Sequence, residues 1–176
     1  MAKAIELRPL AREDDRSGFS CGQADLDRFF EHYAGQNQFK LHLAVTYVAA
    51  VEARIVGFAA VAVSSLERAS VPSARLRKRL PGYPLPVLRL ARLGVDRRAQ
   101  GVGIGRALLR HVLCLAVEQR DRLGCVGVVT DTKPEAASFY RSLGFAPVDG
   151  VREGLLHGEP LPMFLGIDTI AAALET

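Results

Sequence analysis

What this 176-residue chain lacks narrows it before any motif is read. Its three cysteines, Cys21, Cys114 and Cys125, are odd in number and far apart, which argues against a disulfide framework. His32, His42, His111 and His157 stand at no ligand spacing from them, so no metal is expected. No apolar run approaches the roughly 18 residues of a membrane span. The opening "MAKAIELRPL" is interrupted by Lys3, Glu6 and Arg8, unlike the apolar stretch of a signal peptide. The expectation is a cytoplasmic protein with no membrane association. Acids are scarce in one zone: from Arg68 to Arg106 ten basic residues meet a single acid, Asp96, a net +9 in a chain of net +4. Such a zone attracts polyanions, unless its arginines are scattered over several solvated faces.

What is present reads as one ordinary globular domain over 1–176, 49% hydrophobic and 24% charged. "AIELRPL" suggests a first strand that ends before Pro9. Leu26, Phe29, Phe30 and Tyr33 recur at the spacing of an amphipathic helix. Two β-rich runs flank Glu52-Ala53-Arg54 as a hairpin, and a short helix near 73–79 interrupts a long, proline-broken connection. "PVLRLARLGV" gives a further strand. After the glycines a helix extends to about Leu123, with Ile104, Leu108, Val112 and Leu115 along one face. "CVGVVTD" is a buried strand, and "KPEAASFYRSLGF" a helix with Pro134 near its start and Gly144 at its end. "FAPVD" and "LPMFLGID" close the sheet. The order β-α-β-β-(α)-β-α-β-α-β-β predicts a single-domain α/β fold with a mixed, mostly antiparallel sheet flanked by helices.

The chemistry concentrates in "VDRRAQGVGIGRALLRHVL", where Gly101, Gly103 and Gly105 precede an apolar run. Three glycines are a costly way to enter a helix unless a ligand must approach the bare backbone. Strand, glycine-rich turn and helix present amides to a pyrophosphate at a positive helix end. A dinucleotide fingerprint is ruled out because Arg106 stands where its third glycine belongs, and no Gly-Lys-Ser or Gly-Lys-Thr supplies a P-loop. Gln100-x-x-Gly103-x-Gly105 instead fits the acyl-CoA loop Gln/Arg-x-x-Gly-x-Gly/Ala.

With "LGVD" before that loop and "FYRSLGF" after it, the chain resembles the Gcn5-related N-acetyltransferase (GNAT) superfamily from Ile5 to about Ile167. The resemblance implies that the amides of Gly101, Val102, Gly103, Ile104, Gly105 and Arg106 hold the pyrophosphate of acetyl-CoA, with Gln100 in the motif and Arg106 adding charge. It places the pantetheine arm beside Leu93-Gly94-Val95, on a strand splayed from its neighbour at a bulge that Gly94 suits, with the Val95 amide polarising the thioester carbonyl. Tyr140 falls at the position of a general acid. A phenol of pKa about 10 can protonate a departing thiolate of pKa about 8.5, although Tyr140 could also serve packing alone, as Phe139 is expected to do.

A lysine acceptor, pKa about 10.4, would need a base, whereas an α-amine near 8 hardly does. The nearest acids, Asp96 and Asp131, read as loop or strand-end residues. A narrower resemblance, to the acetyltransferase toxins of bacterial toxin–antitoxin pairs, rests on Phe19, Cys21, Gly22, Leu26, Asp27 and Phe29 and on Leu90, Arg92, Leu93, Val95 and Asp96, with Ala91 and Gly94 departing from its pattern. It implies an aminoacyl-tRNA substrate acetylated on its α-amine, a ribbon-helix-helix antitoxin as partner, and a homodimer. Arg75, Arg77, Lys78, Arg79 and Arg92 would then contact RNA phosphates. A GNAT enzyme acting on a small-molecule or protein amine, and a non-catalytic binding module, are the alternatives.

Overall fold

A computed structural model describes residues 3–148 and 160–176. Seven strands, β1 (Glu6–Pro9), β2 (Val45–Val51), β3 (Arg54–Leu66), β4 (Leu85–Val95), β5 (Gly127–Thr132), β6 (Ala146–Pro147) and β7 (Leu161–Gly166), run in the sheet order β1-β2-β3-β4-β5-β7-β6. The pairings β1–β2, β2–β3, β5–β7 and β6–β7 are antiparallel. Among the described residues six α-helices accompany them: α1 (Ala24–Arg28), α2 (Ala34–Phe39), α3 (Ala74–Arg77), α4 (Ile104–Arg122), α5 (Ala137–Ser142) and α6 (Ile167–Leu174). The chain divides into two compact units, Met1–Ala62 with Leu90–Val112, and Val63–Arg89 with Leu113–Thr176.

The first unit is built on phenylalanine. Phe30 stacks on Phe58 at 4.5 Å with nearly parallel rings, and Phe19 meets both edge-on at 4.9 and 5.5 Å; each such pair adds about 1 kcal/mol to the area it buries. Two glycines make room for this core. A Cβ on Gly94 would come within 2.8 Å of Phe58 Cε1, and one on Gly57 within 2.9 Å of Ile104 Cγ2 and Leu108 Cδ1, where α4 packs. Gly94, within β4, is thus the seat of an aromatic ring.

Between α1 and α2 the expected single helix passes through a π-helical turn, Phe29–Tyr33. The wider turn advances the side chains out of step with the 3.6-residue stripe. Leu26, Phe29 and Phe30 stay buried, whereas Tyr33 is 49% exposed. Arg16 Nη1 donates to the Phe30 carbonyl at 2.9 Å, and its guanidinium occupies the space that a side chain at Gly35 would need. The hairpin turns at Glu52 and Ala53, both with left-handed backbone. Pro9 belongs to β1, an edge strand, where a missing N–H is tolerated.

In the second unit, Val71, Leu85, Val87, Val129, Val148 and Phe164 form the apolar cluster. β5 and β7 pair from Gly127↔Gly166 to Thr132↔Leu161. Residues 167–174 are helical, which the sequence reading missed. Asp168 in the first turn of the run "IDTIAAAL" was the available signal.

Candidate active site

β4 delivers the chain into the glycine turn through Asp96. This carboxylate is 1% exposed, an environment that by itself opposes charge. It accepts from the Arg98 backbone N–H at 2.9 Å, from the Arg98 guanidinium at 3.1 and 3.2 Å, and from the Ser20 N–H at 3.3 Å. Burial raises its pKa, and these hydrogen bonds with the Arg98 charge overcome it and hold the carboxyl at about 2. Such a group is a brace and a poor base at neutral pH. Asp131, an exposed acid at the end of β5, is ion-paired with Arg89 at 3.0 Å.

The segment before α1 is clipped onto the same place. Asp27 accepts from the Cys21 N–H at 2.8 Å and the Ser20 hydroxyl at 3.2 Å, and the Arg97 N–H donates to the Ser20 carbonyl at 2.8 Å. Gly22 takes a left-handed conformation with the Arg97 stem against it. Burial, then Asp27, pushes the Cys21 thiol up to about 11, which leaves it inert as a nucleophile. The Phe19-x-Cys21-Gly22…Asp27 pattern thus has a physical task, which is to fix where the glycine loop begins.

Gln100 completes that clamp. Its side-chain amide donates to the Val95 carbonyl at 3.0 Å and to the Cys21 carbonyl at 3.1 Å. These two bonds tie the side chain to the loop and hold its shape. Beyond it Gly101 and Gly103 adopt φ of +79° and +92°, conformations that other residues enter at a cost, and open space lies where a Cβ would stand on either. Val102 between them is 71% exposed. The Ala107 N–H donates to the Gly103 carbonyl at 3.0 Å, so the N–H groups of Ile104 and Gly105 ahead of it face out of the end of α4. A bare, outward-facing backbone at the positive end of a 19-residue helix suits a pyrophosphate. Ile104 is buried as the helix anchor, and Arg106 is exposed beside the loop. Leu93, Gly94 and Val95 form the last three residues of β4.

Tyr140 lies on α5 in the other unit. It is 6% exposed, with its ring edge-on to Phe139 at 5.2 Å and to Phe145 at 5.3 Å. Burial pushes the phenol up to about 12, against a hydrogen bond with the Thr130 side chain. It therefore keeps its proton across the physiological range, as an acid must. Thr130 escaped the sequence reading; the sign was a hydroxyl inside the buried run "VVTD".

Several residues of the basic zone are engaged within the protein. Arg68 donates to the Leu80 carbonyl, Arg89 is paired with Asp131, and Arg98 with Asp96. Arg92 is exposed and stacks over the Phe29 ring at 4.1 Å. Arg77 is half-buried and its Nη1 donates to the Val71 and Pro72 carbonyls, so it helps hold its own segment together. Arg75, Lys78 and Arg79 are exposed. Arg75 and Arg79 border a groove of about 560 Å³ whose apolar lining includes Leu76, Leu80, Phe164 and Ile167.

Comparison with known proteins bears on this arrangement. Residues 42–147 match the family model of the acetyltransferase (GNAT) domain. The tRNA-acetylating toxin of Mycobacterium tuberculosis is 34% identical over 152 residues, covering 85% of this chain and 90% of that protein. Among solved structures, AtaT complexed with acetyl-methionyl-tRNAfMet superposes with a TM-score of 0.85 at 25% identity, covering 97% of this chain and 99% of the other. AtaTR bound with acetyl-CoA gives a TM-score of 0.76 at 25% identity, with 97% and 98% covered.

Proposed function

The chain belongs to the acetyltransferase (GNAT) family, and from that premise we propose that it moves the acetyl group of acetyl-CoA onto the α-amine of an aminoacyl-tRNA, as a toxin that blocks translation. The observation that carries the cofactor half is the left-handed Gly101 and Gly103 opening α4. Their backbone and the amides through Arg106 take the pyrophosphate, the Leu93-Gly94-Val95 strand lies along the pantetheine arm, and the Val95 amide polarises the thioester carbonyl. The amine attacks that carbon, the C–S bond breaks, and Tyr140 gives its proton to the departing sulfur.

The acceptor half rests in part on two of the acids. Asp96 and Asp131 are both committed to arginines, which favours an amine that is already largely neutral. An α-amine near 8, lowered further by its neighbouring ester, fits better than a lysine. The identity with a tRNA-acetylating toxin points the same way. Arg75, Lys78, Arg79 and Arg92 supply charge for RNA phosphates. On this reading the protein works in the cytoplasm as one acetyltransferase domain over 1–176, as a homodimer, and is neutralised by a ribbon-helix-helix antitoxin.

Induced expression in a bacterial host tests the proposal. Wild-type chain should halt growth and protein synthesis, and Tyr140→Phe should relieve both. Unimpaired growth from a chain that acetylates a free small amine in vitro would contradict the toxin reading and favour the small-amine enzyme.

A further inference from the structure

Successive residues of β5 face opposite ways. Val129 enters the apolar cluster with Val87 and Phe164. Thr130 and Thr132 lie on the other face, 3% and 1% exposed. The Thr130 side chain is hydrogen-bonded with Tyr140, while Thr132 Oγ1 has no hydrogen-bond partner among the described residues. Phe139 and Phe145 fix the plane of the Tyr140 ring. The freedom left to the phenol is rotation about its C–O bond, which decides where its proton points.

We propose that Thr130 is a positioning residue for acetyl transfer: its hydroxyl donates to the Tyr140 phenolic oxygen, leaving the phenol's own proton for the departing sulfur. The inference rests on the reading of Tyr140 as the proton donor. Two hydroxyls can share a hydrogen bond in either direction, but a phenol that donates to Thr130 has no proton left to give. Once the proton has moved, the phenolate can only accept, so the donating threonine already matches the product of the step. In that step the amine nitrogen forms a bond to the thioester carbon, the C–S bond breaks, and sulfur takes the Tyr140 proton. The phenolate, held by the Thr130 O–H, then recovers a proton from the acylated nitrogen. The net change is one proton from nitrogen to sulfur. The strand holds Thr130 in place because its backbone lies in the β5–β7 ladder opposite Met163.

The test uses the full chain, radiolabelled acetyl-CoA and bulk aminoacylated tRNA. Thr130→Val should lower kcat about tenfold, the scale of one hydrogen bond, with KM for acetyl-CoA within about twofold. Thr130→Ser should stay within about threefold of wild type, since it keeps the hydroxyl. Thr132→Val removes a hydroxyl from the same strand face and should leave the rate unchanged. In a Tyr140→Phe background, Thr130→Val should cost less than about twofold, because the two act as one unit. Equal losses from Thr130→Val and Thr132→Val, or losses that multiply in the double variant, would overturn the assignment. A Tyr140→Phe enzyme at full speed would overturn the underlying reading instead, an outcome visible before any threonine is changed.

Discussion

Around Asp96 the polar side chains are committed: Asp96, Asp27 and Gln100 bond backbone groups of Ser20, Cys21, Val95 and Arg98. On α3 and the turn that follows, Arg75, Lys78 and Arg79 face outward, and only Arg77 is committed to its own segment. The contrast separates two kinds of recognition. A loop braced this way is pre-organised, which suits a ligand of fixed shape such as a pyrophosphate. Exposed, flexible cations suit a polyanion whose phosphates are held by charge at no fixed angle. The same residue types appear in both regions, so partners, and not composition, distinguish them.

Breaking the outward-facing side should have the largest effect. Replacing Arg75, Lys78 and Arg79 together by glutamine should flatten the slope of log K against log salt for tRNA by about 2 to 3 units, which amounts to roughly two to three powers of ten in affinity at 0.1 M salt and little at 1 M. Acetyl-CoA binding should be unaffected. Arg77→Ala sharpens the contrast, because it should lower the melting temperature with the salt slope intact. A triple variant with an unchanged slope would move these residues to the solvated surface.

Next in size, Tyr140→Phe should lose about 10²-fold in kcat while keeping its acetyl-CoA affinity, the usual scale for a positioned acid. Wild-type turnover would reduce Tyr140 to packing. On the pre-organised side, Gly103→Val places a β-branched residue at φ +92° and should weaken acetyl-CoA binding about tenfold, near 1.4 kcal/mol, with the fold retained. Calorimetry showing full affinity in a folded variant would remove the loop from the cofactor site.

Asp96→Asn gives the smallest change, a melting temperature lower by about 5 °C at neutral pH. Its pH dependence has a definite sign. The folded carboxyl is held near 2 against an ordinary 3.8, so its contribution is complete above 3.8 and disappears as pH falls from there through 2. Acid unfolding of Asp96→Asn should be flatter than wild type within that window. Parallel curves would show that Asp96 is not the brace.

Much of this could be read from the chain alone. Glycines after "LGVD" predicted the turn and the helix, and alternating apolar residues predicted the strands, because both signals are local in sequence. The rest depended on partners distant in the chain. The Phe58 ring against Gly94 could not be read from its place in the strand. The bonds from the Gln100 amide to the Cys21 and Val95 carbonyls could not be read from its place in the motif. Tyr33 leaves the helical stripe because the Phe29–Tyr33 turn is wider than an α-turn, a feature no spacing rule announces. Arg77 resembles its neighbours in the run "RLRKRL", and only the nearby Val71 and Pro72 carbonyls set it apart.

The central claim is the acceptor, and one measurement meets it directly. Purified protein would be incubated with acetyl-CoA and bulk aminoacylated tRNA, the tRNA digested with ribonuclease, and the 3′-terminal adenosine fragments weighed by mass spectrometry. The account predicts an acetyl group on the α-amine of the esterified amino acid, with deacylated tRNA left unmodified. Acetyl-CoA turnover on a small amine or a protein lysine, with every aminoacyl-adenosine fragment at its original mass, would contradict it.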